Sequence, residues 1–119
     1  QSEIISRNGI HWHSTLSILI NGEKVDIPAG IGIGTVHSPT HTHETDGTIH
    51  LEYGGVVRED DTRLGEFFKV WGEDFSSTGI MGNINGEGGI LKMMVNGVEN
   101  TEFENYRMRD GDNIEIIFE

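Results

Sequence analysis

Asn21-Gly22 stands between two alternating runs in "STLSILINGEKVDIP", and this dipeptide constrains the fold more than any other feature of the chain. A two-residue type I′ turn needs positive φ at both central positions, which Asn and Gly tolerate and most residues do not. Leu16, Ile18 and Ile20 alternate before the turn, Val25 and Ile27 alternate after it, and Pro28 ends the return strand. The pattern predicts a β-hairpin with one apolar face. "ILKMMVNGVENTEF" repeats the device around Asn96-Gly97, and "THTHETDGTIHLEY" reads as a further hairpin around Asp46-Gly47. "YRMRDGDNIEIIFE" turns at Asp110-Gly111-Asp112 into a closing strand with Ile114, Ile116 and Phe118 on one face.

One stretch breaks this period of two. Leu64, Phe67, Phe68 and Trp71 fall at i, i+3, i+4 and i+7, an apolar stripe on a helix of about ten residues over 62–71. Asp61 or Thr62 is the expected N-cap, and Gly72 follows the helix end. "AGIGIGTVHSP" (29–39) and "EDFSSTGIMGNINGEGG" (73–89) read as loops. The expected fold is α+β: a mostly antiparallel sheet with one short helix packed on it. At 119 residues the chain is expected to form a single domain. It divides into histidine-bearing hairpins over 11–53, the helix, and C-terminal strands over 90–119.

Composition narrows the function. With 8 basic against 20 acidic residues the net charge is −12, a surface that repels nucleic acid and anionic lipid. There is no cysteine, so thiolate metal sites, Cys nucleophiles and blue-copper centres are excluded together. No apolar run approaches the length of a membrane span, so membrane insertion of this segment is not expected. "GIGIG" is followed by neither Lys nor a helix, which argues against a phosphate loop.

The histidines are the chemistry. If Asp46-Gly47 is a two-residue turn, His43 faces His50 and His41 faces Glu52. Alternation then projects His41, His43, His50 and Glu52 from one side, with Glu44 on the other. His11 and His13 in "HWH" share a face by the same rule, and their strand is expected beside the 41–53 hairpin provided no bulge at Ser14 changes the parity. His11, His13, His41, His43, His50 and Glu52 are therefore the candidate metal ligands. Neutral imidazole suits zinc, copper, nickel and iron, a carboxylate added to histidines is common in zinc and non-haem iron sites, and copper or zinc is the expected ion. His37 is either a further ligand or a solvent-exposed loop residue. A Met93 or Met94 thioether on copper is disfavoured, because adjacent strand residues point to opposite faces. Without a metal, the same histidines would form a hydrogen-bonded polar cluster with Glu52.

Two resemblances follow from these motifs. "VNG" followed by "YRMRDGDNIEIIF" resembles the last strands of β-grasp domains, which implies a β-grasp-like arrangement. Taken in order, "HWH", "HTHETDGTIHLE", "LGEFFKVWG" and "VNGVENTEFENYRMRDGDNIEI" resemble an uncharacterised family of small exported or membrane-anchored domains in archaea and bacteria. That resemblance implies an extracytoplasmic location, the domain following an N-terminal anchor that lies outside this sequence. Members of that family often carry cysteines where this chain has "TGIMGNING", so no thiol-dependent role carries over.

Three functions are compatible with the residues. The first is a copper or zinc carrier or sensor outside the cytoplasm. The second is a small metalloenzyme with a three-histidine site and Glu52 or Glu44 as base. The third is a cell-surface module binding a protein or polymer through a sheet edge without metal. On either metal reading, an edge hairpin bearing histidines would let a homodimer share the ion.

Overall fold

A computed structural model describes all 119 residues. In chain order the strands are β1 (Ile4–Ser6), β2 (Ile10–Ile20), β3 (Glu23–Lys24), β4 (Thr40–His41), β5 (Thr48–Tyr53) and β6 (Val57–Arg58). The helix α1 (Leu64–Trp71) follows, then the short strands β7 (Phe75–Ser76), β8 (Gly79–Ile80) and β9 (Asn83–Ile84). The chain closes with β10 (Leu91–Val95), β11 (Val98–Glu99) and β12 (Asn113–Phe118). The fold is α+β and dominated by sheet.

The main sheet runs β11-β10-β12-β2-β5-β4, with β3 also paired to β2. All its pairings are antiparallel except β2 with β12, which lie parallel from Thr15↔Asn113 to Ile20↔Phe118. Alternation sorts the two faces. Ile18, Ile49, Leu51, Met93, Ile114 and Ile116 are fully buried on one side, and α1 covers them with Leu64, Phe67 and Phe68. The Phe67, Phe68, Trp71 and Phe75 rings pack at centroid distances of 4.6–5.8 Å. The opposite face carries the histidines.

Several boundaries differ from those expected. The helix begins at Leu64 rather than 62, because Glu59–Thr62 forms a separate 3₁₀ turn. The residues expected to cap α1 serve that turn instead. Asp61 accepts the Arg58 backbone N–H at 2.8 Å, and Thr62 Oγ1 donates to the Glu59 carbonyl at 3.0 Å. Gly72 does end the helix, with φ 85° and its N–H donated to the Phe68 and Lys69 carbonyls.

Asn21 and Gly22 take φ values of 50° and 84°, as a type I′ turn requires, but the return strand is only Glu23–Lys24. The reason is competition for one edge of β2. β5 pairs with residues 10–15, and Gly47 takes the Leu16 N–H through its carbonyl at 2.9 Å. Little of that edge remains for the stretch through Ile27. Residues 73–89 are more ordered than their composition predicts, folding into the small β7-β8-β9 sheet. Gly79 permits this, since a Cβ there would lie 2.3 Å from the Asn83 carbonyl oxygen.

Candidate metal centre

β2 runs unbroken past Ser14, and β5 lies antiparallel to it with Ile10↔Tyr53, His11↔Glu52, Trp12↔Leu51 and His13↔His50. On the far side of β5, β4 places His41 opposite His50. His13, His50 and His41 thus form one row across three strands, with His11 and Glu52 in the row beside it. The register is pinned from below: Ile49 and Leu51 are fully buried, so a one-residue slip would expose them and bury the histidines.

The 41–53 hairpin differs from expectation. His50 faces His41 instead of His43, a slide of two residues, because 42–47 form a loop rather than the end of a strand. A slide of two preserves the face, so His41 and Glu52 still project with His50. Alternation fails beyond Thr42, however, and Glu44, expected on the apolar side, curls back onto the histidine face.

Thr42 anchors this loop. It is fully buried, its Oγ1 donates to the Pro28 carbonyl at 2.8 Å and accepts from the Ile31 N–H at 3.1 Å. Its backbone N–H and carbonyl bond Ile31 and Gly30, each at 3.0 Å. Thr42 is therefore held by four hydrogen bonds, two from its backbone and two from its side chain. Gly47 closes the loop at φ 83°, so near Leu16 that a Cβ would sit 2.3 Å from its carbonyl oxygen.

The side chains converge. Glu52 Oε1 lies 3.1 Å from His41 Nε2 and 3.9 Å from Nε2 of both His11 and His43. His41 is 2% exposed, and its Nδ1 lies 2.8 Å from the Ser38 carbonyl. A carbonyl only accepts, so Nδ1 carries a hydrogen, and Nε2 then meets a second acceptor in Glu52. Two lone pairs do not face one another at 3.1 Å without a positive charge between them: either the ring is itself a cation or Nε2 is the seat of one. His50 differs, since its Nε2 donates to Glu44 Oε2 at 3.0 Å, so that any lone pair it offers is on Nδ1.

Charge follows this geometry. Burial pushes the Glu52 carboxyl up, but the His41 hydrogen bond and the histidine charges outweigh it and hold the group below 4.5. The His50 hydrogen bond likewise lowers Glu44.

Ligating atoms of His41, His43, His50 and Glu52 lie within 4.8 Å of one another, as do those of His11, His13 and His50. Donors around a tetrahedral zinc are spaced at about 3.3 Å, so small side-chain adjustments would close either set on an ion. All six candidate ligands are thus gathered on one face. His37 joins them, its ring 4.5 Å from that of His41. Sequence reasoning missed Ser38, whose carbonyl orients His41, and Thr42, whose bonds are long-range. The methionines stay apart. Met93 and Met108 are fully buried in the core, and Met94 pairs with Glu115, which in turn pairs with Ser17. That row lies four residues, roughly 13 Å, along β2 from His13.

The face is open: His11, His43 and Glu52 side chains are 64%, 43% and 40% exposed. The molecule's clefts lie elsewhere, and none is lined by a histidine. Compared with family models, curated proteins and solved structures, the chain matches none of them.

Proposed function

We propose that this chain is a single-domain metal-binding module acting outside the cytoplasm as a copper or zinc carrier or sensor. His41, His43, His50 and Glu52 are the principal ligands, and His11 and His13 belong to the same centre. The observation that carries the reading is His41, a buried imidazole with a hydrogen-bond acceptor against each nitrogen. The Ser38 carbonyl gives it the outer-sphere support typical of metal-bound histidine. Copper and zinc are favoured by the donor set, imidazole nitrogen with a single carboxylate.

An open sheet face favours a carrier or sensor over an enzyme, since substrate sites are usually concave and enclosing. The extracytoplasmic location rests on the motif resemblance. A β-grasp-like arrangement is supported by the parallel β2–β12 pair with antiparallel neighbours on both sides.

The test is elemental analysis of untagged protein, then titration of the chelator-stripped form with copper and zinc. The expected result is near-stoichiometric binding that weakens sharply in Glu52→Gln and His43→Ala. Binding no tighter than that of free imidazole would leave the metal-free interaction module as the better account.

A further inference from the structure

The histidine face holds two ligand sets with one member in common. His41, His43 and Glu52 converge with His50, and so do His11 and His13. Resting on the metal reading above, we infer that these are alternative seats for a single ion, an inner resting seat and an outer exchange seat, with His50 as the shared ligand.

Stoichiometry follows from the bonding of His50. Its Nε2 faces Glu44 Oε2 at 3.0 Å, and a carboxylate only accepts, so Nε2 carries the hydrogen. A neutral imidazole so arranged has one lone pair, on Nδ1, and one lone pair serves one ion. Filling both seats would leave one of them without His50, or require His50 to bridge as an imidazolate and give up its bond to Glu44. It would also bring two dications close together on one small surface, where they repel strongly.

The seats differ in strength and access. The inner one adds a carboxylate to three imidazoles, and its His41 is buried and oriented by Ser38. The outer set contains no carboxylate, although Glu52 comes within 3.9 Å of His11, and its His11 and His13 rings are exposed, 5.0 Å apart. An ion arriving from solvent or a donor meets the outer pair readily. It passes inward by exchanging His11 and His13 for His41, His43 and Glu52 while His50 holds on. Release retraces the path.

Native mass spectrometry with Zn(II) counts the ions, and stopped-flow competition against a fluorescent zinc indicator gives affinity and loading rate. His11→Ala/His13→Ala and His43→Ala alter exposed side chains, and circular dichroism checks that both variants fold. Wild type is expected to take one ion. His11→Ala/His13→Ala should also take one, with loading at least about fivefold slower than wild type. His43→Ala should lose about tenfold or more in affinity. Two ions bound by the wild type would overturn the shared seat, and so would unchanged loading in His11→Ala/His13→Ala. No zinc bound by the wild type would instead overturn the metal reading itself.

Discussion

At the scale of single residues, the centre depends on which nitrogen of each imidazole is free. Ser38 decides this for His41 and Glu44 for His50. Removing such an orienting partner costs about 10- to 100-fold in metal affinity in comparable sites, so Glu44→Ala should weaken zinc binding by that factor without unfolding the protein. Competition with a zinc indicator checks it. Both carboxylates are held below 4.5, which sets the sign of the acid response. Their stabilising contribution is complete above the ordinary carboxylate value and is lost as pH falls through their lower folded values. Urea midpoints measured from pH 5.5 down to 3 should therefore fall less steeply in Glu44→Gln/Glu52→Gln than in wild type. Tyrosine responds in the opposite direction. Burial raises Tyr53 and Tyr106 above 10.0, and the Asp112 carboxylate that accepts the Tyr106 hydroxyl raises the latter further. Stability from these protonated phenols is full below pH 10 and lost as pH rises through their folded values. Absorbance at 295 nm should thus show no tyrosinate step near pH 10, only a late rise.

At the scale of elements, Gly47 is the joint between the site and the sheet. It ends the loop that carries His43 and Glu44, and its carbonyl bonds Leu16 on β2. Gly47→Ala would demand positive φ of an L-residue and drive a methyl into the Leu16 carbonyl, costing about 2 kcal/mol or more. Chemical denaturation should show that loss, and metal affinity should fall with it as the loop shifts. Much of this element was legible in advance. The spacing of His41, His50 and Glu52, and of His11 and His13, gives a shared face under any register that keeps parity, so a slide of two residues left that set intact. Glu44 was not legible, because alternation says nothing once a strand becomes a loop. The hydrogen bonds that end β4 come from Gly30 and Ile31, more than ten residues away. The shortened α1 has a similar cause: Asp61 and Thr62 are good caps, and the sequence does not say which of two adjacent helical turns they cap.

At the scale of the whole molecule, an ion bound only by the folded state stabilises it by mass action. Zinc at one hundred times its dissociation constant should add about 2.7 kcal/mol, or about 10 °C in melting temperature for a domain of this size. Differential scanning fluorimetry with and without zinc measures the shift, and His41→Ala should reduce it. Neither β2 nor β12 carries a mark of its partner in its own residues, so alternation alone does not give their parallel contact.

That contact has a consequence for how the protein is made. Every proposed ligand lies between residues 11 and 52, yet the straightness of β2 depends on residues emitted from the ribosome far later. Asp110 accepts the His13 N–H, Gly111 donates to the His13 carbonyl, and Asp112 accepts from Thr15. A nascent chain of eighty residues has every histidine but lacks these three bonds. On the proposed metal reading, tight capture would wait for β12 to dock, so a loaded centre would report that the sheet has closed.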